Sequence, residues 1–394
     1  MKDKIRFYLE NIMGELFGLC KYMYKHPELG DREFESSKRL ANFLRENGFS
    51  IEWGIVGRDT AFRAEFSGSK RGPTICFLAE YDALPGVGHG CGHNLIGTIS
   101  TGAGIILSKF LSEIGGKVVV LGTPAEETNG AKVPMAEQGI FDDIDVAMMV
   151  HPSDESYMSG DSLAMDALQF TFFGKSAHAA AAPEKGINAL DSVILLFNGI
   201  NALREHLPAD VKIHGIINEG GRAANIVPDL ASAQFYIRAS TRAVLNPVVE
   251  KVKNIARGSA LMTGARLEIS NYELSYDNMV TNQHLSKVFT KHLSEISSKP
   301  IHPPKQEYGS LDMGNVSQVV PAIHPYIGLN HPGLVAHTKE FADRTVTEHG
   351  RQALMEGALA LAYTGYDCLT DSKLMRAIQE EFLTNKNRWE NNCL

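Results

Sequence analysis

The sequence lacks the features of membrane proteins and of disulfide-stabilised proteins. None of its apolar stretches approaches the ~18 residues of a membrane span, and its first residues contain neither a long apolar core nor a small-residue cleavage site. The cysteines are few, odd in number and without framework spacing: Cys20, Cys76, Cys91, Cys368 and Cys393. These absences predict reduced thiols in a cytoplasmic protein that has no contact with a membrane.

Long blocks of charge of one sign are also absent. The formal net charge of -8 is spread along the chain, without the basic patch that is typical of nucleic-acid-binding proteins. We therefore expect no nucleic-acid partner. With 394 residues, of which 44% are hydrophobic, the chain is long enough for two or three domains with separate cores.

Short apolar runs that alternate with helical segments are present in the first half of the chain. The runs lie at residues 74–79, 117–122 and 145–150, and residues 95–111 form the clearest helical segment between them. Continuous apolar runs of this length are typical of strands that are buried on both faces. Their alternation with helices predicts an α/β domain in which helices flank a mostly parallel sheet.

The hydrophobic pattern changes near Asp166. From there to residue 275 the predicted elements follow the order β-α-β-β-α-β, which is that of a ferredoxin-like α+β module. We therefore predict an inserted domain at residues 166–275, within a larger domain formed by residues 1–165 and 276–394. A long helix is predicted from about Asp343 to Tyr363, and the polar segment from about residue 371 onward is also predicted to be helical.

Side chains suited to chemistry follow each of the three apolar runs. Asp82 follows the first run, Glu126 and Glu127 follow the second, and His151 follows the third. The loop at residues 88–94 adds a thiol and two imidazoles between glycines. In an open α/β sheet ligands bind beyond the carboxyl ends of the strands, so these groups are expected at one edge.

Each of these residues also has an ordinary structural interpretation. Asp82 suits a turn or a helix cap, and adjacent glutamates such as Glu126 and Glu127 are usually exposed. His151 suits a turn before proline, and Cys91 suits a small buried apolar position. Taken together at three strand ends, however, the groups predict a metal site, since imidazole, thiolate and carboxylate are the ligands of zinc and similar ions.

The residue types also predict how such a site would work. Two ions about 3.5–4 Å apart need a shared ligand, which Cys91 or a carboxylate can supply. Of two adjacent glutamates, one can bind metal while the other acts as general base for an attacking water.

The chain resembles a known enzyme family in the order of six segments: AEYDALPGVGHGCGHN, GTPAEET, MMVHP, FFGKSAHAAAAPEKGINALD, GGRAANIVPD and GSLDMGNVSQVVPAIHPYIG. The family is that of the dinuclear metallopeptidases and amidohydrolases, which includes aminoacylases, indole-acetyl-amino-acid hydrolases and glutamate carboxypeptidases. The most similar branch contains aminobenzoyl-glutamate hydrolase subunits and a dipeptidase for basic C-terminal residues. The resemblance implies a zinc-exopeptidase-like domain with an inserted lid and dimerisation domain, and therefore a homodimer.

The resemblance also implies a role for individual residues. Glu126 matches the general base, and Asp82 matches an acid that orients a neighbouring ligand. The implied ligands of two divalent ions (Zn, Mn, Co or Ni) are Cys91, His93, Glu127, His151 and His337. In the insert, His178 matches a histidine that reaches a partner subunit's active site and polarises the scissile carbonyl.

Two further insert residues, Asn225 and Arg238, match groups that hold the substrate's carboxylate, a task for which a guanidinium is suited. As sequence features alone, Asn225 also suits a turn and Arg238 a solvated strand end.

The chain departs from the wider family at Glu80, where many members have histidine, so Glu80 is left out of the ligand set. It departs again at Asn94, where many have aspartate, which leaves the orientation of His93 open.

Three functions are compatible with these features. The first is metal-dependent hydrolysis, by metal-activated water, of an amide or peptide bond in a dipeptide or an N-acyl or N-aroyl amino acid with a free carboxylate. The second is a cysteine-nucleophile amidase using Cys91 with His93. This alternative leaves four residues unexplained: Glu126, Glu127, His151 and His337. The third is a non-catalytic dimeric metal-binding protein, against which the presence of Glu126 beside a ligand argues.

Overall fold

The computed structural model describes residues 1–305 and 309–392, with side chains described to residue 386. Contacts divide this part of the chain into two compact units. Unit 1 comprises Met1–Asp161 and Met279–Asn392, and unit 2 comprises Ser162–Asn278. The last two residues of the predicted helical tail lie outside the described residues.

The described residues form α-helices and β-strands with the following bounds. The helices are α1 (Lys2–Lys25), α2 (Phe34–Glu46), α3 (His93–Ser108), α4 (Leu111–Ile114), α5 (Lys132–Glu137), α6 (Ala189–Arg204), α7 (Arg242–Thr263), α8 (Gln283–Ile296), α9 (Met313–Val319), α10 (Lys339–Arg344), α11 (Glu348–Thr370) and α12 (Ser372–Asn392). The strands are β1 (Ser50–Trp53), β2 (Phe62–Ser67), β3 (Thr74–Ala79), β4 (Lys117–Gly122), β5 (Val146–Met148), β6 (His151–Ser153), β7 (Ser156–Tyr157), β8 (Ala164–Phe173), β9 (Lys212–Glu219), β10 (Leu230–Ala239), β11 (Arg266–Asn271), β12 (Ile301–His302), β13 (Ala322–Ile323) and β14 (Tyr326–Gly328).

The main sheet of unit 1 has the strand order β1-β2-β4-β3-β5-β13. Strands β3, β4, β5 and β13 are parallel, and β1 and β2 extend the sheet in antiparallel fashion. All six residues of β3 are buried, as expected for a continuous apolar strand. The α/β class with a mostly parallel sheet and flanking helices is therefore confirmed.

A second, small sheet of unit 1 has the order β12-β7-β14-β6. It explains why the third predicted strand, at residues 145–150, is shorter than expected. Strand β5 ends at Met148, and the chain re-pairs at His151 with β14. The predicted long helix at residues 343–363 is likewise replaced by α10 and by α11, which begins only at Glu348.

Unit 2 contains a four-stranded antiparallel sheet in the order β11-β8-β10-β9. With α6 and α7 it has the chain order β-α-β-β-α-β. The side chains of β10 alternate: Phe235 and Ile237 are buried in the core with both helices, whereas Tyr236 and Arg238 point to the other face. That second face is available within unit 2 for polar contacts.

Two general features of the described residues bear on the sequence predictions. None of the described helices combines the length and the apolar character needed to span a bilayer. The cysteines within the described residues are free thiols, and Cys393 lies outside them.

Three buried charged side chains tie the end of β3 to α5 and α9. The Lys132 ammonium nitrogen lies 2.5 Å from Glu80 Oε1 and 2.7 Å from Asp312 Oδ1, and each of the three residues is at most 2% exposed. Burial by itself lowers the pKa of Lys132, but Asp312 and Glu80 raise it above its usual value, so the lysine stays charged. Removing one member would leave an uncompensated buried charge.

We expect Lys132→Met to lower the free energy of unfolding by about 3–5 kcal/mol, because two buried carboxylates lose their counter-ion. Lys117→Met is the matched control, since Lys117 forms partly exposed pairs with Glu65 and Asp143 and should cost less than about 1 kcal/mol. Urea unfolding followed by circular dichroism measures both. Adding Glu80→Gln and Asp312→Asn to Lys132→Met should recover most of the loss. Equal costs for the two lysine variants would contradict this account.

Candidate metal centre

The loop between β3 and α3 carries the central imidazole of the site. Helix α3 begins at His93 directly after Gly92, whose φ of 81° is left-handed. A Cβ at Gly92 would lie 2.3 Å from Pro152 Cγ, so only glycine fits there. The turn therefore delivers Cys91 and His93 to the edge where β3 ends.

Asp82 fixes two parts of the site at once. Its Oδ1 accepts a hydrogen bond from His93 Nδ1 at 2.8 Å, and its Oδ2 accepts one from the Glu127 backbone N–H at 3.0 Å. With Nδ1 protonated and held, His93 presents Nε2 to the site. This is the arrangement by which a carboxylate orients a metal-binding histidine.

The sequence left the orientation of His93 open because of Asn94, and the geometry resolves that point. Asn94 points away from His93, and its amide donates hydrogen bonds to Thr345 Oγ1 and to Cys20. The orientation of the His93 ring is therefore fixed by Asp82 and not by the residue that follows His93.

His151 is oriented by its own backbone neighbourhood. Its Nδ1 lies 2.7 Å from the Pro152 carbonyl oxygen. Since a carbonyl only accepts, Nδ1 carries the proton and Nε2 is the available ligand atom. That Nε2 lies 3.4 Å from Cys91 Sγ. Two imidazoles therefore present Nε2 toward one thiol.

The ligand-type atoms form overlapping groups in which all atoms lie within 4.8 Å of one another. One group is Cys91, His93 and His151, a second is Cys91, Glu127 and His337, and a third is His93, Glu126 and Glu127. His337 Nε2 lies 3.4 Å from Glu127 Oε1, and its side chain is about half exposed. The six residues named by the resemblance as ligands and general base thus lie together.

The electrostatics of the cluster suit a cation. Among the described residues, His93 Nε2 and Glu127 Oε1 are buried without a hydrogen-bond partner. Carboxylate oxygens of Glu80 and Glu126 lie 3.4 Å and 3.8 Å from that Nε2. Burial, followed by the charges of Glu80 and Asp312, raises the pKa of Glu126 well above its usual value. Soft and hard donors that converge on excess negative charge fit divalent transition ions.

The same geometry weakens the alternative of a cysteine nucleophile. Burial raises the pKa of the Cys91 thiol; the hydrogen bond and charge of His93 oppose that rise, and the charges of Glu127 and Glu126 add to it. A nucleophilic cysteine needs the opposite shift, toward the thiolate.

In unit 2, His178 and Asn225 lie on adjacent segments. The Asn225 carbonyl accepts a hydrogen bond from the Ala179 N–H, and residues 178 and 226 form a β-bridge. His178 Nδ1 accepts hydrogen bonds from the Ala180 and Ala181 N–H groups at 3.2 Å and 3.1 Å. The neutral ring therefore carries its proton on Nε2, which is a donor. Both side chains are exposed within the unit.

Arg238 lies at the other end of the same sheet. Directly before β10, the Asp229 carbonyl accepts a hydrogen bond from the Gly174 N–H, which directly follows β8. The start of β10 therefore lies close to the segment of His178. From Leu230 to Arg238 the strand advances by about 26 Å. The guanidinium carbon of Arg238 lies 5.5 Å from the centre of the Tyr236 ring. The buried Nε of Arg238 has no hydrogen-bond partner among the described residues. One copy of unit 2 therefore cannot bring Asn225 and Arg238 to the same carboxylate.

Several residues beside the site were not singled out from the sequence. Lys132 and Asp312 hold Glu80 against His93, and His324 is a buried ring 5.5 Å from that of His151. A weak signal existed for Asp312, which lies within one of the segments that carry the resemblance. A single lysine such as Lys132 is interpreted from sequence as a surface residue, because its partners Glu80 and Asp312 are distant in sequence.

Comparison with known proteins identifies the family of this chain. The family model for Peptidase family M20/M25/M40 matches residues 76–360. A mouse (Mus musculus) protein named Xaa-Arg dipeptidase is 34% identical over 389 residues, which are 95% of this chain and 90% of that protein. One of the p-aminobenzoyl-glutamate hydrolase subunits of Escherichia coli strain K12 is 34% identical over 71% of this chain and 62% of its own length.

A solved structure shows the same fold. It is a Bacillus subtilis protein described as a dinuclear metal-binding peptidase from the M20 family, with a TM-score of 0.64 and 19% identity, covering 90% of this chain and 99% of that one. The family model covers well over half of the chain, and the mouse relative exceeds 30% identity across nearly all of it. The chain therefore belongs to peptidase family M20/M25/M40 and is a metal-dependent hydrolase of amide or peptide bonds.

Proposed function

We propose that this hydrolase cleaves dipeptides whose C-terminal residue is basic and releases that residue as a free amino acid. The observation that carries the hydrolytic part is the convergence of two oriented imidazoles, a thiol and two adjacent glutamates at one sheet edge. Likeness to the Xaa-Arg dipeptidase over 95% of the chain supports the substrate class.

The proposed cofactor is a pair of divalent ions, chosen from zinc, manganese, cobalt and nickel. Two of the groups of ligand atoms share Cys91: one adds His93 and His151, and the other adds Glu127 and His337. A shared donor suits a bridging position between two ions. When bound, such ions polarise a carbonyl oxygen and make water a stronger acid.

Glu126 is the proposed general base. It lies beside Glu127 and within 3.8 Å of His93 Nε2, so it can reach a water near the ligand atoms. In the proposed reaction its carboxylate takes a proton from the attacking water and later gives it to the leaving amine. Both transfers need one carboxylate that changes protonation state, which a residue at the edge of the ligand set can do.

His178 is the proposed donor to the scissile carbonyl oxygen, and Arg238 the proposed anchor for the substrate's carboxylate. The tautomer of His178 leaves Nε2–H as a hydrogen-bond donor, which can stabilise negative charge developing on that oxygen. Arg238 has a buried Nε without a partner among the described residues, so a bound carboxylate would satisfy it. Asn225, next to His178, is a proposed contact for the substrate's backbone.

A homodimer is proposed because one copy of unit 2 holds His178 and Arg238 too far apart for a dipeptide. A substrate that meets both groups would take His178 from the partner copy. The edge strand β9 supports self-association, since it is largely exposed and carries Ile216 and Ile217 on its surface. Exposed edge strands are normally covered. The free thiols of the described residues are compatible with the proposed cytoplasmic location.

We expect Glu126→Ala to lower kcat by about 10³-fold while the protein still binds metal, because the base is lost but the ligands remain. Glu137→Ala, which removes an exposed glutamate of α5, should leave kcat unchanged. A chelator should abolish hydrolysis in the wild-type chain, and added Mn²⁺ or Zn²⁺ should restore it. Hydrolysis that survives both Glu126→Ala and chelation would overturn the mechanism and direct attention to Cys91.

The substrate class is tested with a matched panel of Xaa-Arg, Xaa-Lys, Xaa-Glu and Xaa-Leu dipeptides, together with p-aminobenzoyl-glutamate. We expect kcat/KM for the basic dipeptides to exceed that for the others by at least about tenfold, which corresponds to about 1.4 kcal/mol. Preferred cleavage of p-aminobenzoyl-glutamate would instead favour the second candidate, to which the Escherichia coli relative points.

Mixing two inactive variants tests the shared active site. His178→Ala and Arg238→Ala homodimers should each lose most activity. After subunit exchange, hybrids form half of the dimers, and each hybrid has one intact site, so about a quarter of wild-type activity should return. Ile216→Asp in both chains should prevent this recovery by disrupting the edge, whereas Leu261→Asp, exposed outside β9, should not. If mixtures stay inactive although hybrids form, the sharing of sites is wrong.

A further inference from the structure

Glu33 is a fully buried carboxylate that the proposed mechanism does not use. It precedes the first residue of α2, and its side chain is 0% exposed. Burial, followed by the charge of Asp82, raises its pKa to about 7. An acid in such a place is costly unless its oxygens are hydrogen-bonded. The contacts of Glu33 therefore indicate what it is for.

The two oxygens of Glu33 have distinct partners. Oε1 accepts a hydrogen bond from the Ala125 backbone N–H at 2.9 Å, and Oε2 accepts one from Thr60 Oγ1 at 3.0 Å. Ala125 is the residue directly before Glu126. The Glu33 carboxylate, which is distant in sequence, thus binds the backbone N–H of the residue directly before Glu126, the proposed base, and Glu127, the proposed ligand.

The held residue is strained. Ala125 has a φ of 63°, in the left-handed region that residues other than glycine avoid at a cost of roughly 1–2 kcal/mol. Such a conformation persists only where its surroundings impose it. Gly30 packs directly on it, since a Cβ at Gly30 would lie 2.9 Å from Ala125 Cβ. Glu33 supplies the polar part of this constraint by accepting the Ala125 N–H.

The segment that carries Glu33 also contacts the other side of the site. The Glu28 carbonyl accepts a hydrogen bond from the Ala83 N–H at 2.8 Å, directly after Asp82. Residues 28–33 therefore contact the chain directly after Asp82 and directly before Glu126. Asp82 itself accepts from the Glu127 N–H, so the same few residues are held from both sides.

We propose that Glu33 is a positioning residue, whose carboxylate holds Ala125 in its left-handed conformation and thereby sets the direction of Glu126 and Glu127. This inference rests on the roles proposed for those two glutamates. Glu33 does not touch the substrate. Its effect is exerted through the backbone, and a displacement of about 1 Å at a reacting group can cost about 100-fold in rate.

Three single substitutions in the metal-loaded 394-residue chain begin the test. Glu33→Ala should lower kcat by about 10- to 100-fold, with KM changed less than about threefold, because the base is misplaced rather than the substrate contacts. Glu33→Gln should stay within about threefold of wild type, since its amide oxygen still accepts from Ala125. Glu35→Ala, which removes an exposed glutamate in the first turn of α2, should have no effect.

The decisive variant is Ala125→Gly, because glycine adopts the left-handed conformation without strain. In the wild-type background it should change kcat by less than about threefold. In the Glu33→Ala background it should recover kcat at least fivefold. If Glu33→Ala lowered kcat only by destabilising the fold, relieving the backbone strain at residue 125 would not restore kcat. Retention of Zn²⁺ in equilibrium dialysis gives a readout that does not depend on activity, and Glu33→Ala should weaken it through Glu127.

Each outcome decides the question. Glu33→Ala with near-normal kcat, or a loss that Ala125→Gly does not reduce, overturns the proposal. If Glu33→Ala does not fold, Glu33→Met keeps the volume and removes only the acceptors, and the same comparison is made with it. The Glu126→Ala variant separates the two hypotheses. If Glu126→Ala is inactive while Glu33→Ala is active, only the positioning role fails; if Glu126→Ala is active, the proposed function fails.

Discussion

The carboxylate of Asp82 is the contact on which the rest of the candidate metal centre depends. It accepts one hydrogen bond from the His93 ring at the start of α3 and another from the backbone of Glu127 after β4. Two elements that are separate in sequence are thereby fixed relative to one acid. Because Asp82 follows closely after the end of β3, the position of the site follows from the ends of two neighbouring parallel strands.

The second constraint is the balance of buried charge. Five acids lie around Lys132 and the imidazole of His93: Glu80, Asp82, Glu126, Glu127 and Asp312. Lys132 pairs with one oxygen of Glu80 and with Asp312, whereas carboxylate oxygens of Glu80 and Glu126 lie near His93 Nε2. Carboxylates so close together repel one another unless a cation lies between them. The arrangement therefore explains why Lys132 can be buried as a charged residue.

The sequence could predict the parts of this structure that depend on local pattern. The apolar runs at 74–79 and 117–122 have the burial of interior strands, and the motif around Cys91 and His93 lies at their ends. The small sheet that holds His151 could not be predicted, because its strands are two or three residues long and have no detectable period. Contacts between residues far apart in sequence, such as the hydrogen bond of Glu33 with Ala125, also could not be predicted, because no local pattern indicates them. A single acid near a helix start reads as a cap or an exposed charge until the fold places its partner.

Two strained residues show how a site made of loops can be rigid. Ala125 and His337 both have a φ of 63° although neither is glycine. Each is held by a hydrogen bond from its backbone N–H to another part of the site: Ala125 to Glu33, and His337 to the Gly90 carbonyl at 2.8 Å, one residue before Cys91. The strain and the hydrogen bond occur together, so neither loop can relax without breaking a contact with the next. The candidate ligand atoms come from four separate segments, and backbone contacts of this kind hold such segments together, as the preorganisation of a site for metal-assisted hydrolysis requires.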